Sequence, residues 1–432
     1  MIDSADVDTQ FENALDRLLV STEHTFVTGR AGTGKSTLLE CFRQKTEKNI
    51  AVLAPTGVAA LNVGGETIHS FFRFKINVAP HRIRKVQDKE IYKNLDAIVI
   101  DEVSMVRADL LDCIDVFMRR NGRDPSRPFG GVQMIFFGDL YQLPPVVLPD
   151  EAVLFATFYD SPYFFDAHVF SKLDLNTVYL ETVYRQQDDE FVGILDRMRF
   201  NSLEEEDYRL LNSRVNAPID SFGTRYMVHL TTTNRMADII NQKRLSMIYK
   251  PEVNLRAVTE GDLSERYFPV NHDLRLKKGA QVMMLNNDPF MRWVNGSLAE
   301  IIGIEFDSER QINVIGIELE DGSVQEVLPH KWEIFRHSYD HEDHKVHAEQ
   351  IGLFIQYPLK LAWAVTIHKS QGKTFDSVVI DIGGGTFAHG QLYVALSRCR
   401  SLEGISLRRP ISQRHIMIDN RIVDFLSGSC YK

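Results

Sequence analysis

At 432 residues the chain is about three times the size of a common domain, which excludes a single compact core and points to two or more domains. An apolar share of 44% and a charged share of 25% exclude disorder and a fibrous fold. A net charge of −10 excludes a simple basic coat for nucleic acid, yet leaves room for a local basic channel.

The acidic opening MIDSADVDTQFENALD has no apolar stretch, so no signal peptide is expected. No run approaches the roughly 18 apolar residues of a membrane span, and no membrane partner is expected. Cys41, Cys113, Cys399 and Cys430 lie far apart without a C-x-x-C pair, which suggests neither a disulfide framework nor a zinc knuckle. These features predict an intracellular protein, cytoplasmic if bacterial.

From residue 24 to about 181, short apolar strands alternate with helical stretches. HTFVT, NIAVLAP, AIVIDE and VQMIFFGD read as buried strands of a parallel α/β sheet. Ligands of such sheets sit beyond the carboxyl ends of the strands, where TGRAGTGKST, PTG, DEVS and GDLYQ fall. Seven bases between Arg73 and Lys93 (Arg73, Lys75, Arg82, Arg84, Lys85, Lys89, Lys93) read as a solvated helix face.

A second α/β stretch follows, with MVHLTTT before the helix-like NRMADIINQKRLSMI, and FDSVVIDIG before HGQLYVALSRCR. Between them, roughly 251–351, Asn295-Gly296 and Asp321-Gly322 signal tight hairpins, and ERQINVIGIELEDGSVQEVLP reads as two strands around a turn. This predicts a β-rich module inserted into a second α/β domain. His337, His341, His344 and His347 with Asp340, Glu342 and Asp343 mimic a metal cluster, but the spacing fits a solvated, flexible connector better.

Gly29-Arg30-Ala31-Gly32-Thr33-Gly34-Lys35-Ser36-Thr37 matches G-x-x-x-x-G-K-[ST] between a strand and a helix. The glycines let successive N–H groups point at phosphate oxygens, the helix start adds positive potential, and Lys35 reaches the β/γ-phosphates. Ser36 and Asp101 are the expected Mg²⁺ ligands. Adjacent Glu102, at the end of the strand Ile98–Ile100, suits polarising the attacking water. No N-K-x-D guanine-reading motif occurs, so ATP is the expected nucleotide. Gln10, nineteen residues before Gly29, suits either reading the adenine edge or an ordinary surface position.

GRAGTGKST, APTGVAALNVGGETIHSFF, IDEVSM, FFGDLYQLPPV, VYRQQDDEF, LAWAVTIHKSQGKTF and GQLYVALSRCRSLEGI occur in the order of superfamily 1 DNA helicases. The chain most resembles the PIF-type members of the PIF/RecD-like clade, from about residue 24 to 408. The β-rich insert matches in LRLKKGAQVMML and VNGS only, and DTQFENAL departs from the family's glutamine motif.

The resemblance implies an α/β fold of two RecA-like P-loop NTPase domains, with a small insert in the first and a β-rich SH3-like insert in the second. The first domain is expected over 1–181, with a wedge insert at about 66–80. The second is expected over 182–250 and 352–432, interrupted by the insert at 251–351. By position, Gln142 senses the γ-phosphate, Arg185 and Arg398 act as arginine fingers, and Gly372 and Lys373 lie near the phosphates. Pro55, Thr56, Gly57, His69, Phe71, Thr366, His368 and Lys369 face DNA. The implied activity is an ATP-dependent DNA helicase that moves 5′ to 3′ on single-stranded DNA, acts on forks and G-quadruplexes, and works as a monomer.

Phosphate contacts suit Thr366, His368 and Lys369 chemically, as does a buried polar network. Phe71, Phe72 and Phe74 suit either core packing or stacking on bases. The alternatives to a helicase are a translocase or remodeller on RNA or nucleoprotein, and an ATP-switched DNA-binding module.

Overall fold

Continuous apolar runs flanked by turns place strands inside a sheet covered on both faces. In the computed structural model they form β1 (His24–Gly29), β2 (Ile50–Ala54), β3 (Glu66–Thr67), β4 (Ala97–Ile100), β5 (Gln133–Gly138) and β6 (Leu175–Leu180). The structure describes residues 9–429 except 57, 58, 61, 62, 76, 77, 185, 187, 219–225, 262–269, 287, 294, 295, 341–344, 372, 373, 376, 384 and 387, and gives backbone alone for 150, 333–340, 345–351 and 429.

The described chain divides into two compact units. Unit 1 takes in Met1–Ile219, Ser370–Asp376 and Gly384–Lys432, and unit 2 takes in Asp220–Lys369 and Ser377–Gly383.

Unit 1 is built on one parallel sheet, in the order β3-β2-β4-β5-β1-β6. Helices α1 (Thr9–Val20) and α2 (Lys35–Lys45) bury Leu15, Leu18, Leu38 and Phe42 against Val27, Val99, Ile135 and Phe137 of the sheet. Two short helices, α3 (Ile68–Phe71) and α4 (Glu90–Asn94), precede α5 (Ala108–Asn121). After α6 (Pro149–Phe155) come α7 (Asp189–Arg199) and α8 (Glu205–Ser213). Asp188 caps α7 by accepting from the N–H groups of Glu190 and Phe191, and a Glu204/Asp207 capping box starts α8.

The basic stretch departs from the expected helix face. Among the described residues between Arg73 and Lys93, only the 3₁₀ turn Pro80–Arg82 and the start of α4 are helical, and Arg73 sits at φ +53°. The cause is tertiary. Asn121, at the end of α5, accepts from the Val86 N–H (2.9 Å) and donates to the Arg84 carbonyl (3.1 Å), while Ile83 is buried. Arg73, Arg82, Arg84, Lys85 and Lys93 are nevertheless exposed, as a solvated basic face requires.

Unit 2 begins with β7 (Val228–Thr231) and α9 (Asn234–Ser246), whose start is capped by Thr233. Its β-rich part contains β8 (Glu252–Arg256), β9 (Val258–Gly261), β10 (Asp273–Lys277), β11 (Gln281–Met284), β12 (Leu298–Asp307), β13 (Ile312–Leu319) and β14 (Val324–Val327). It continues with β15 (His330–Asp340), β16 (Lys345–Gln356) and β17 (Leu359–Leu361). Strands β14-β13-β12-β11-β17 form an antiparallel sheet, and β15-β16-β9 form another. Val282, Ile301, Ile317, Trp293 and Leu359 fill its core. Finally β18 (Ala364–Thr366) and β19 (Val378–Asp381) flank β7 in parallel. The Asn241 side chain clamps α9 to β18 through both polar groups of Ala364.

The turn at Asp321-Gly322 joins β13 to β14, with Gly322 at φ +82°. The Asn295-Gly296 pair falls within residues 285–297, which join β11 to β12, and Asn295 lies outside the described residues. The acid- and histidine-rich segment is also not a loose connector. Backbone pairing runs from His330↔Gln356 to Asp340↔Lys345, and His341 and His344 lie outside the described residues. Among the described residues, no group of three or more His, Cys, Asp or Glu side chains is arranged to hold a metal.

Candidate nucleotide and DNA sites

The loop leaving β1 cannot carry side chains at its glycines. A Cβ on Gly29 would run into the Leu180 carbonyl and, at 2.7 Å, Thr33 Oγ1. Gly32 and Gly34 sit at φ +87° and +80°, where an L side chain is strained. Gly34 is the N-cap of α2, so the loop runs straight into the first turn of the helix. Lys35 Nζ donates to the carbonyls of Gly29 and Arg30, each at 2.7 Å. Ser36 and Thr37 are exposed on that first turn, while Ala31 and Thr33 are buried. The Tyr184 N–H donates to the Gly32 carbonyl (2.8 Å), pinning the chain after β6 to the loop.

Asp101 is buried at the end of β4. Burial and the neighbouring Glu102 charge push its carboxyl up to about 7, opposed by the Glu102 N–H and by Lys35. Glu102 is half-buried in left-handed backbone, at φ +50° and ψ +43°, and accepts from Gln371 Nε2 at 3.0 Å. Gln142 is buried; its Nε2 approaches Asp139 Oδ2 at 3.4 Å, and its Oε1 has no hydrogen-bond partner among the described residues.

What holds this arrangement together lies largely outside the phosphate-binding motifs. Asp139, fully buried, takes Arg199 on Oδ1 (3.0 Å), and its Oδ2 accepts from the Tyr393 hydroxyl (3.2 Å). The same hydroxyl accepts from the Ala31 N–H at 2.9 Å. Burial alone raises the Asp139 carboxyl; Arg199, Lys35, the Tyr141 N–H and Gln142 outweigh it and hold the group below its ordinary value. Arg199 also lies over the Tyr141 ring, 4.6 Å from its centroid. Asp139 was visible inside GDLYQ. Arg199 and Tyr393 carry no local signal of this role.

Other expected positions fall as follows. Gln10 accepts from the Glu181 N–H at 3.1 Å, so its carbonyl braces α1 against the end of β6. Arg398 is buried; its guanidinium donates to the Val394 carbonyl (3.0 Å) and Ser397 Oγ (3.1 Å), at the C-cap of the helix Gln391–Ser397 that carries Tyr393. Arg185, Gly372, Lys373 and Gly57 lie outside the described residues.

Of the expected DNA-facing residues, Pro55, Thr56, His69 and Phe71 are half-buried in unit 1. Thr56 Oγ1 caps the next turn by accepting from the Ala59 N–H. Phe71 packs edge-on against Phe72 and Tyr92, while Phe72 itself is buried against Phe117 and closed to any base. In unit 2, Thr366 is buried at the end of β18, His368 is half-buried, and Lys369 is exposed with Nζ 3.5 Å from Asn234 Oδ1. Burial lowers the imidazole pKa of both His69 and His368. Near neutral pH they therefore offer hydrogen bonds, and Lys369 offers charge.

Residues 5–208 match the family model of PIF1-like helicases, residues 265–304 that of the DNA helicase Pif1 2B domain, and residues 361–402 that of the UvrD-like helicase C-terminal domain. The ATP-dependent DNA helicase Pif1 of Bdellovibrio bacteriovorus is 33% identical over 428 residues, covering 96% of this chain and 90% of that protein. The ATP-dependent DNA helicase PIF1 of Rattus norvegicus is 32% identical over 95% of this chain, which spans 62% of the rat protein. The crystal structure of a Bacteroides Pif1 helicase with ADP-AlF3 and single-stranded DNA superposes with a TM-score of 0.87 at 34% identity, covering 98% of this chain and 97% of that one. The parallel-sheet cores agree with the α/β fold of two RecA-like domains expected from the sequence. The chain belongs to the PIF1-like family of ATP-dependent DNA helicases.

Proposed function

We propose that this chain couples ATP hydrolysis to 5′-to-3′ movement along single-stranded DNA, unwinding duplexes at forks and opening G-quadruplexes as a monomer in an intracellular, DNA-containing compartment, the cytoplasm if bacterial. Among the described residues no helix is long and apolar enough to cross a membrane. The carrying observation is the conjunction, in one unit, of a glycine-built phosphate loop, a buried carboxylate beside Lys35, and a buried Gln142 carbonyl without a hydrogen-bond partner among the described residues. A buried acceptor left unsatisfied costs free energy and is retained where a ligand completes it.

The donor set fits ATP and Mg²⁺: hard oxygens from Ser36 and Asp101 suit the cation, and backbone N–H groups with Lys35 suit the phosphates. Bound Mg²⁺ supplies neutralisation of charge on the β/γ-phosphates. The chain's own residues do the rest. Gly29, Ala31, Gly32, Thr33, Gly34 and Thr37 shape the cradle. Glu102 takes a proton from the attacking water as its oxygen forms the new P–O bond, and the bond to the β-phosphate oxygen breaks with its electron pair leaving on ADP. Gln142 orients the γ-phosphate and water, and Arg185 and Arg398 supply positive charge to the transition state. On the family resemblance, Gly372 and Lys373 serve the phosphates and Gln10 reads the adenine edge. Pro55, Thr56, Gly57, His69, Phe71, Thr366, His368 and Lys369 form the DNA track.

On this reading 1–181 is the first RecA-like domain, with its wedge insert at about 66–80, 182–250 with 352–432 is the second, and 251–351 is the SH3-like insert. The direct test is unwinding of 5′-tailed against 3′-tailed duplexes with ATP and Mg²⁺. The 5′-tailed substrate should open, and equal or reversed preference would overturn the polarity.

A further inference from the structure

Gln371 follows the 3₁₀ turn Ile367–Ser370, and neither the motif reading nor the mechanism above gives it a task. Its Nε2 donates to Glu102 Oε2 at 3.0 Å, across 269 residues of chain. The side chain is 8% exposed, and its Oε1 is buried with no hydrogen-bond partner among the described residues. The two ends of an amide are not equivalent: turned over, the carbonyl would face the acceptor-only carboxylate of Glu102. The side chain thus keeps its N–H on Glu102 and leaves its own carbonyl unsatisfied, a poor arrangement if packing were its only purpose. Glu102 is in turn held at φ +50°, a backbone region that non-glycine residues occupy only when their surroundings impose it.

We propose that Gln371 is a positioning residue for ATP hydrolysis, its amide N–H holding the Glu102 carboxylate in the one orientation that meets the attacking water. The inference rests on the reading of Glu102 as general base. Losing the hold lets the carboxylate wander by an ångström or so, a displacement that can cost about 10²-fold in rate without altering affinity.

The test uses the full chain with ATP, Mg²⁺ and saturating single-stranded DNA. Gln371→Met keeps the length and volume of the side chain while removing both polar atoms. A packing role predicts unchanged or higher stability and unchanged turnover. Positioning predicts kcat reduced about ten- to hundredfold, with KM for ATP and Kd for single-stranded DNA within about twofold of wild type. Gln371→Glu, which sets two carboxylates face to face, should lose at least as much.

Single-turnover hydrolysis in the Glu102→Gln background completes the cycle: Gln371→Met should add almost nothing there, because its partner's function is already gone. Wild-type kcat in Gln371→Met, a change confined to KM, or an equal further loss in the Glu102→Gln background each overturns the proposal. If Glu102→Gln alone keeps wild-type turnover, the base assignment fails and this inference with it. If Glu102→Gln is slow and Gln371→Met is not, only this inference fails.

Discussion

Asp139 and Arg199 are the residues on which the nucleotide cradle of unit 1 rests most directly, since the Asp139 carboxylate also anchors the Tyr393 hydroxyl that meets the Ala31 amide. Asp139→Asn leaves a buried guanidinium without its counter-charge, and breaking such a pair costs about 3–5 kcal/mol. Urea unfolding at pH 7 should show that loss; a loss below about 1 kcal/mol would mean the pair is not structural. The native Asp139 carboxyl is held below its ordinary value, so its stabilisation is complete above the unfolded carboxyl pKa of about 3.9 and fades as pH falls through the lower native value. The gap between wild type and Asp139→Asn should therefore narrow only below about pH 4. The glycine loop, Lys35, Asp101 and Glu102 were legible in the sequence because phosphate chemistry packs them into short runs. The Asp139–Arg199 and Asp139–Tyr393 links were not, because 60 and 254 residues separate the partners and nothing in either neighbourhood encodes the meeting.

Among the elements, the strands of unit 1 were readable for a simple reason: in a parallel sheet covered on both faces most positions are apolar, so Ala97–Ile100 of β4 and residues 134–137 of β5 appear as unbroken runs. The basic segment before α4 was misread because its conformation is dictated by Asn121, which lies well beyond it in the chain. The same region separates packing from binding. Phe72 lies in a cluster with Phe74, Tyr92 and Phe117, at ring separations of 5.1 to 6.2 Å, whereas Phe71 is half-buried at its margin. Phe72→Ala should cost about 3–5 kcal/mol in unfolding free energy with little change in DNA affinity. Phe71→Ala should instead weaken single-stranded DNA binding by about 1–3 kcal/mol, the usual worth of one stacked base. Equal binding losses in the two variants would remove Phe71 from the DNA track.

For the whole molecule, a net charge of −10 opposes DNA at long range, so binding must come from a local track. The logarithm of single-stranded DNA affinity should fall with the logarithm of salt at a slope of about −0.7Z, with Z roughly three to five. Because burial lowers the pKa of His69 and His368, that slope should not steepen between pH 8 and pH 6.5. A flat salt dependence would eliminate the track. The division of the chain adds a second expectation. A fragment ending near residue 181 omits α7 and helix Gln391–Ser397, both part of unit 1. It should lack a cooperative thermal transition by circular dichroism, since Asp139 would be buried without Arg199; a sharp wild-type-like transition would show the sheet to be self-sufficient. The hydrogen bond from Ala31 to Tyr393 carries a consequence in time, for its partners are 362 residues apart. At a synthesis rate of about 5–20 residues per second, the tyrosine is made roughly 20–70 s after the loop it braces. The nascent chain therefore carries an unbraced phosphate loop throughout that interval, and the brace closes only once helix Gln391–Ser397 has left the ribosome and folded back.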